Sequence, residues 1–451
     1  MSTEETRWLR RLIYAYFFLL IFEGALRKWI FQSVAGPLLI IRDPVLLAIY
    51  ALALHRGIWR WNGWVLAVMG LAVASALASL AVGCPLLITL FGLRADFWQI
   101  PLIFLMPEIF AGRGGTEVRR IGRWMLLLTP GMALLALLQF RVGPGHWLNA
   151  TTGGSVSEQT TQLFAAVGRV RPSGTFSFVT GMVSFLALGT AFVFDGFFEH
   201  AAKKRLWVAT VAVVLALGIS GSRSAIIGAG IVAGAAALMC AGNPKRLRSV
   251  AMPLIAVLLA YAVLHGLADF RAGLEVNRGR FDDAGGLKQG ILYRWFADIV
   301  SAWNSEKEAG WLGAGLGMGT NVGAGLATGT RQFLLAEGEW ARVILESGPV
   351  LGVAFIALRV SIAVYLLRRA IRTLRERGDV LPGLLLAAGV IDLTTGQWGQ
   401  ATVSGFAVFT AGLCLASTVE AEEREPAEQP EKPRKARGRG IFAQSIGGGR
   451  K

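Results

Sequence analysis

The sequence predicts an all-α polytopic membrane protein, a bundle of about twelve transmembrane helices. Hydrophobic residues make up 54% of the 451-residue chain and charged residues only 16%, and the apolar residues fall in repeated runs long enough to cross a bilayer. The formal net charge is +16. An excess of Lys and Arg is typical of the cytoplasmic loops of membrane proteins, so it does not call for a nucleic acid partner.

Twelve apolar segments account for this prediction. They are residues 12–30, 37–54, 63–82, 97–111, 123–140, 173–196, 206–219, 223–241, 249–266, 340–367, 380–396 and 401–418. The first follows a polar, basic start and has no small-residue cleavage site, so we expect a transmembrane helix and not a removed signal peptide. We expect residues 1–418 to form the transmembrane domain. Residues 419–451 are acidic, then Pro-rich, then basic, and are expected to form a disordered cytoplasmic tail.

The connections between these segments fall into two alternating sets, one of which is basic. The basic residues are Arg56 and Arg60; Arg113, Arg119, Arg120 and Arg123; Lys203, Lys204 and Arg205; Lys245, Arg246 and Arg248; and Arg368, Arg369, Arg372, Arg375 and Arg377. Cytoplasmic loops concentrate Lys and Arg, so this set is expected inside, and an even number of spans then places both termini inside. The two longest loops, residues 141–172 and 267–339, are expected to face outward.

Within the longer outward loop, residues 287–303 have apolar residues at helical spacing and several aromatic side chains. This pattern predicts an amphipathic helix that lies against the outer leaflet. Arg294 interrupts its apolar face, where it could bind a phosphate at the membrane surface. An ordinary helical ion pair with Asp298, four residues on, is the alternative.

The cysteines and the charged residues of the spans are given structural roles. Cys84, Cys240 and Cys414 are too far apart in the sequence for a disulfide framework or a metal cluster, and are treated as small apolar residues. Charged residues inside the spans are expected to fix helix packing through buried pairs. They are Glu23 with Arg27, Arg42 with Asp43, Arg94 with Asp96, and Asp392.

Two arginines stand at predicted outer helix ends. Arg223 lies in a short polar connection between two apolar helices, where a guanidinium inside the hydrocarbon would cost roughly 2.5–3.5 kcal/mol, so an anionic partner is expected. The alternative is an arginine that reaches the lipid headgroups. Arg171 stands just before a helix that Ser173 could cap. The alternative is a simple loop charge.

Alternate glycines, Gly313, Gly315, Gly317 and Gly319, form a ladder in the outward loop. Their spacing does not match the dinucleotide fingerprint or the P-loop, so nucleotide binding is disfavoured. Glycines at alternate positions remove the side chains from one face of an extended segment, which lets a helix, a lipid or a sugar approach the backbone. A flexible loop is the alternative.

Glu337, Glu339 and Glu346 follow the glycine ladder. On a helix that begins near Gly338, Glu339 and Glu346 share a face, and Glu337 lies at the N-terminal edge, where the helix dipole favours its ionised form. An ionised carboxylate can accept a proton. Each of the three could instead be a capping or packing residue.

Several short motifs along the chain indicate the same family. They are Ser220-Gly221-Ser222-Arg223-Ser224, Arg294 ahead of the glycine-rich segment, Glu346-x-Gly348 followed by Gly352, and near the start Phe22-Glu23-Gly24-Ala25-Leu26-Arg27-Lys28-Trp29 with Arg42-Asp43-Pro44. Through them the chain resembles the O-antigen ligase and O-antigen polymerase superfamily of bacterial membrane glycosyltransferases. The last two motifs resemble a ligase-like subgroup.

The resemblance implies a GT-C-type helical bundle in the bacterial inner membrane. Its donor would be an undecaprenyl-diphosphate-linked glycan used on the periplasmic face for cell-surface polysaccharide such as O-antigen or exopolysaccharide. By position, Arg223 and Arg294 match the family's diphosphate-binding arginines. Family ligases usually carry His-Asn nine residues before the Glu of the E-x-G motif, whereas this chain has Glu337-Gly338 at that position. This departure favours a polymerase over a ligase.

These residues give one mechanistic hypothesis. Arg223 and Arg294, with Arg171, would hold the diphosphate and neutralise its developing charge without a metal or other cofactor. Glu337 or Glu339 would take the proton of the attacking sugar hydroxyl, and the displacement would invert the anomeric configuration. The supporting residues are Glu346, Gly315 and Gly317. The expected partners are the donor, a lipid-linked or other sugar acceptor, membrane lipids and a chain-length regulator.

Other functions fit the composition as well. A ligase would transfer the glycan to lipid A core or protein. A polysaccharide transporter or lipid-glycan flippase would share the span count, but such proteins commonly show related halves with broken polar helices at mid-bilayer, which the sequence does not indicate. A non-catalytic scaffold of an envelope assembly is the third alternative.

Overall fold

The computed structural model describes residues 5–110, 113–151, 169–199, 203–241, 244–283, 300–301, 304, 310–329, 335–336 and 338–419. The long regular elements there are helices, as the sequence predicts. The α-helices, labelled α1 to α15 in chain order, are Glu5–Ala25, Arg42–His55, Gly63–Ala81, Leu86–Asp96, Pro101–Ile109, Gly114–Arg141, Val179–Phe198, Lys203–Ile219, Arg223–Cys240, Pro244–Leu264, Ala268–Asp282, Asn321–Thr328, Glu339–Arg377, Leu381–Thr394 and Ala401–Ser417. A five-residue π-helix, Leu26–Ile30, extends α1.

Six of the helical segments in the described residues are long and apolar enough to cross a membrane, or up to eight if each of two bent helix pairs counts as one span. The bent pairs are α4 with α5, at 45°, and the second part of α10 with α11, at 111°. The protein is therefore a multi-pass helical membrane protein by length and composition. The predicted number of twelve spans is not confirmed, because α1, α8, α14 and α15 are helical but do not reach the required length and apolarity.

Helix α4 lies in a region that was predicted to be a connection between two spans. The fourth span is predicted at residues 97–111, whereas helical structure begins at Leu86 and breaks between Asp96 and Pro101. This helix was not predicted, because Arg94 and Asp96 interrupt its apolar run. Both charges find partners on other helices: Arg94 bonds Asp43, and Asp96 bonds Arg342 on α13. An apolar-run criterion cannot recognise charges that are neutralised this way.

Two of the predicted ion pairs are wrong. Arg94 and Asp96 do not pair with each other but bond Asp43 and Arg342. Glu23 pairs with Arg27 as expected, at 3.5 Å. Arg42, however, bonds Glu23 at 2.7 Å and not Asp43. The partners of buried charges were assigned from neighbouring positions in the sequence, but helix packing brings distant positions closer.

The centre of the bundle is formed by α7, α14 and α15. Nearly all of the apolar stretch of α7 is buried inside the protein, and so is nearly every residue of α15. Rings from α1 and α15 stack in this region, with the centroids of Phe17 and Phe409 5.6 Å apart. Helices α3 and α10 instead expose large apolar side chains such as Leu77 and Leu258, as expected of surfaces that face lipid.

Polar contacts distinguish the two ends of the bundle. At one end, Arg119 of α6 bonds Asp195 of α7 and Asp379, which precedes α14. The predicted cytoplasmic arginines at the end of α13 also lie at this end, which we call the basic end. At the opposite end, α14 is joined to α15 by residues 395–400, and Thr180 at the start of α7 donates to Gln400 at 2.6 Å.

Helix α13 folds back on itself. Gly348 has φ +75° and ψ 170° and is followed by Pro349, so the helix breaks into two arms. Along a straight helix, residues twenty positions apart would be about 30 Å apart, yet Arg359 Nη1 lies 2.6 Å from Glu339 Oε1. The break therefore places the charged first turn of α13 inside the bundle.

Candidate functional site

Five charged side chains meet between α4, α13 and the connection from α14 to α15. We call Asp96, Glu339, Arg342, Glu346 and Arg359 the charge cluster, and all five are buried. Carboxylates outnumber guanidinium groups by three to two. If all are ionised, the cluster carries one net negative charge, and the carboxylate of Asp392 on α14 lies close to Arg359.

Arg342 is the centre of the charge cluster. Its Nη2 lies 2.8 Å from Asp96 Oδ1, its Nε lies 3.0 Å from Glu339 Oε2, and its Nη1 lies 2.7 Å from Glu346 Oε2. Glu339 and Glu346 are three residues before and four residues after Arg342 on the same arm, which is the spacing at which helical side chains meet. The planar guanidinium, with its five donors, can serve three carboxylates at once.

Arg359 binds the charge cluster to the end of α14. Its Nη1 bonds Glu339, its Nε donates to the carbonyl of Leu393 at 2.8 Å, and its Nη2 donates to the carbonyl of Gly396 at 2.9 Å. The guanidinium also lies over the Trp398 ring, with Cζ 4.2 Å from the centroid. Arg359 thus closes the helix C-terminus, whose carbonyls have no partner within the helix.

The predicted glycine ladder packs against this site as bare backbone. Gly313, Gly315 and Gly317 have φ of +74°, +110° and +92°, a region that L-residues rarely adopt. A Cβ at Gly313 would collide with the carbonyl of Glu346, and one at Gly317 would collide with the carbonyl of Ile88 on α4. Of the approaches predicted for a helix, a lipid or a sugar, the structure shows the approach of helices.

The same segment satisfies polar groups at the break in α13. Ala314 N–H donates to Leu345 O at 2.8 Å, and Gly315 N–H donates to Glu346 O at 3.0 Å. These carbonyls lose their helical partners at the break. Gly319 N–H donates to Glu346 Oε1 at 2.7 Å. Backbone and carboxylate are therefore held together, and the predicted supporting residues Gly315, Gly317 and Glu346 lie in one contact network.

A cleft opens beside the charge cluster at the end of the bundle opposite the basic end. The cleft is open to solvent, and the roughly 280 Å³ of space along its lining includes part of that open solvent. Its lining consists of small, amide and charged residues from three elements. They are Gly319, Thr320, Asn321, Ala336, Glu339, Arg342, Gln397, Gly399 and Gln400.

Among the predicted proton acceptors, Glu339 lies at this cleft and Glu337 lies outside the described residues. Glu339 Oε1 accepts from Arg342 Nη2 at 3.0 Å and from Arg359 Nη1 at 2.6 Å, and Oε2 accepts from Arg342 Nε. Both oxygens are therefore engaged by guanidinium groups, and protonation of Glu339 would weaken those bonds. Gly338 precedes the first turn of α13, so the predicted helix start is confirmed.

The predicted diphosphate-binding arginines are only partly described. Arg294, together with the amphipathic segment at 287–303, lies outside the described residues. Arg223 is the first residue of α9, after a turn in which Gly221 has φ +55°. Arg171 precedes α7 by eight residues. Chain connectivity places both at the end of the bundle that carries the cleft, and both are partly buried.

Side chains from α6 and the π-helix hold the segment that carries Arg171. Lys28 Nζ, which is buried, lies 2.7 Å from Gly174 O and 3.2 Å from Ser173 Oγ. Gln139 binds the peptide groups of Gly174 on both sides, accepting from its N–H at 2.8 Å and donating to its carbonyl at 3.1 Å. The segment before α7 is consequently fixed, with cationic side chains around it.

No protein-family model matches this chain, and no curated protein matches it either. The likeness to the O-antigen ligase and polymerase superfamily thus remains one of short motifs. Within the described residues, no group of three or more His, Cys, Asp and Glu side chains has an arrangement that could hold a metal ion.

Several residues of the site were not predicted as site residues from the sequence. Arg342 had a visible signal, because it stands at helical spacing from both Glu339 and Glu346. Arg359 had a weaker one, as an arginine inside an apolar span. The involvement of Asp96 and Gln139 had no local signal, since their partners are distant in the sequence.

Proposed function

We propose that this protein is a membrane glycosyltransferase that polymerises or transfers an undecaprenyl-diphosphate-linked oligosaccharide. In this proposal the chain forms a GT-C-like bundle of about twelve spans in the bacterial inner membrane. The cleft and the large loop face the periplasm and the basic end and both termini face the cytoplasm. The likeness in short motifs supports the choice of substrate, and the charge bias supports the orientation.

The single observation that carries the proposal is the cleft beside the charge cluster. It lies at the end of the bundle opposite the basic end, and it combines amide, hydroxyl, carboxylate and guanidinium groups in one lining. Pockets in which a few polar groups converge are the usual sites of binding and catalysis. Arg171 and Arg223 enter the bundle at the same end, where a lipid diphosphate at the membrane surface can reach them.

The proposed reaction is a direct displacement at the anomeric carbon. The bond between that carbon and the diphosphate oxygen breaks, its electron pair goes to the diphosphate, and an acceptor hydroxyl oxygen forms the new glycosidic bond with inversion. Arg223 and Arg294, with Arg171, stabilise the leaving diphosphate. Glu337 takes the hydroxyl proton in preference to Glu339, because both oxygens of Glu339 already accept bonds from arginines.

The glycans made by a bacterium that lacks this gene test the proposal. Loss of all polymer beyond one repeat unit identifies a polymerase, whereas accumulation of long lipid-linked chains identifies a ligase. Expression of the native chain restores the product, and expression of the Arg223→Ala, Arg294→Ala double variant does not, although that variant accumulates in the membrane. The matched control is Arg56→Ala, an exposed arginine after α2. Full-length glycan from the double variant contradicts the proposed role of these arginines.

One observation favours a second candidate, a lipid-glycan transporter or flippase. The break in α13 and the break between α4 and α5 place buried charges within the bundle, and discontinuous helices with polar groups at the breaks are typical of transporters. A counterflow assay in vesicles distinguishes the two functions. Exchange of a labelled lipid-linked glycan without any new glycosidic bond supports transport, and formation of that bond supports transfer.

A further inference from the structure

The cleft has a lining suited to neutral hydroxyl groups. Asn321, Gln397 and Gln400 each offer an amide that can both donate and accept hydrogen bonds. The Thr320 hydroxyl is already used, because it donates to Gly317 O at 2.7 Å and accepts from Gly323 N–H. A sugar hydroxyl likewise donates and accepts. Such a lining can satisfy several hydroxyl groups of one sugar ring, whereas phosphate oxygens only accept and require donors throughout.

The donors at the cleft also disfavour phosphate. Among the described lining residues the cation is Arg342, and its guanidinium already serves Asp96, Glu339 and Glu346. Its Nε, Nη1 and Nη2 make five hydrogen bonds to these carboxylates, which uses all five donors of a guanidinium. An incoming diphosphate, whose oxygens only accept, would have to displace those carboxylates.

A different surface suits the diphosphate. The segment before α7 carries Arg169 and Arg171, and the buried amine of Lys28 bonds the Ser173 hydroxyl and the Gly174 carbonyl of that segment. The two arginines make this side of α7 cationic. Thr180, in the first turn of α7, contacts the cleft through its bond to Gln400.

Two amides of the cleft, those of Gln397 and Gln400, are held in fixed orientations. Thr180 Oγ1 donates to Gln400 Oε1 at 2.6 Å, and Gln400 Nε2 donates to Gln397 Oε1 at 2.7 Å. Each carbonyl oxygen in this relay has a donor, so the relay sets which atoms the amides turn to the cleft. Asn321 begins α12, next to Thr320, whose Oγ1 accepts from Gly323 N–H at 3.0 Å. Pre-oriented groups of this kind discriminate between hydroxyl configurations.

We propose that the cleft is the acceptor subsite, that it binds the neutral hydroxyl groups of a sugar ring, and that Asn321, Gln397 and Gln400 select the sugar that fits. The term acceptor rests on the proposed glycosyl transfer, while the preference for a neutral saccharide over a phosphate rests on the cleft itself. The donor diphosphate then binds on the cationic side of α7, and the two reactants approach each other across its first turn.

Binding of the purified full-length protein to an array of neutral oligosaccharides tests this subsite. We expect the native protein to retain a subset of the array, and Asn321→Leu or Gln397→Leu to weaken that binding about tenfold, because each loses one or two hydrogen bonds to a hydroxyl. Sodium pyrophosphate is the anionic probe and should not displace the saccharide. The matched control is Leu326→Ala, an exposed residue on the same helix as Asn321, which should bind as the native protein does.

A thiol-protection experiment locates the bound saccharide even if a leucine variant folds poorly. The native cysteines Cys84, Cys240 and Cys414 are buried, so a maleimide should report on an added thiol. A saccharide retained on the array should slow labelling of Asn321→Cys and leave Leu326→Cys unaffected.

Each remaining outcome is decisive. An array that retains no neutral glycan, equal binding by the native and leucine variants, protection of neither thiol, or displacement by pyrophosphate overturns the subsite. Failure of the subsite is separable from failure of the proposed function. Lost polymer in the deletion strain without saccharide binding in the cleft leaves the transferase and removes the subsite. Saccharide binding with unchanged polymer does the reverse.

Discussion

Two arginines, Arg342 in the charge cluster and Arg119 near the basic end, each bond three carboxylates. Arg342 has a side chain only 5% exposed, and its partners Asp96, Glu339 and Glu346 are 0–2% exposed. Arg119 is 28% exposed and bonds Asp195, Glu199 and Asp379, of which Glu199 is 51% exposed. The two arginines thus make nearly the same contacts. Their access to water is not the same.

This difference determines what each arginine contributes. Around Arg119, Asp195 is 6% exposed, but Glu199 and Asp379 are 51% and 21% exposed. Water can solvate these last two when the guanidinium is removed, so their ion pairs contribute little to the free energy of unfolding. Around Arg342, Asp96 and Glu346 are almost fully buried, so water can replace few of the lost donors, and the remaining carboxylates would repel one another. The same chemical contacts are therefore accessory in one place and indispensable in the other.

The largest effect is expected for Arg342→Met. It leaves three buried carboxylates without their shared cation, and removal of one partner of a buried pair typically costs roughly 3–5 kcal/mol. Thermal unfolding in detergent micelles measures the loss. The triple variant Arg342→Met, Asp96→Asn, Glu346→Gln removes two of the stranded charges and should regain much of the stability. No recovery in the triple variant would show that packing of the guanidinium, and not charge, is what matters.

The next effect is expected for Gly317→Ala, which tests the packing of the glycine ladder against α4. The residue has φ +92°, and a Cβ there would collide with Ile88 O. Strain and overpacking together should cost roughly 2–4 kcal/mol, measured by the same unfolding experiment. Gly70→Ala on α3 is the matched control, because no atom lies within 4 Å of its Cβ position. The control should be neutral or stabilising by about 1 kcal/mol.

A smaller effect is expected for Arg119→Gln. Two of its three carboxylates can be hydrated and Asp195 is the buried one. The loss should therefore be about 1–2 kcal/mol and should shrink as salt screens the exposed pairs. Unfolding at low and high ionic strength measures both quantities. A loss as large as that of Arg342→Met, or one that does not depend on salt, would mean that water access does not separate the two arginines.

The smallest effect is expected for Arg372→Ala. Arg372 bonds Glu376 one turn on, at 2.7 Å, with side chains 68% and 49% exposed. Exposed helical pairs of this spacing contribute about 0.3–0.5 kcal/mol. Unfolding should therefore be nearly unchanged. A loss above about 1 kcal/mol would mean that exposure does not rank these pairs, and the comparison would fail.

Some features of the site could be predicted from the sequence and others could not. The start of α13 after Gly338 and the pairing of Glu23 with Arg27 were predicted correctly, because both depend on helical spacing over a few residues. Helix α4 and the partner of Asp96 were not predicted. Their recognition needs the position of Arg342, which is 246 residues away in the chain.

The sequence by itself determined that this chain is a multi-pass helical membrane protein, because apolar runs and basic connections are local properties of the chain. It also determined that the region from Gly313 to Gly348 combines alternate glycines with a group of glutamates. Only the tertiary structure decided that the glycines admit helices, that α13 folds back at Gly348, and that the carboxylates outnumber the guanidinium groups around Arg342. Those facts depend on which distant segments meet, and buried charges are balanced by neighbours in space and not in sequence.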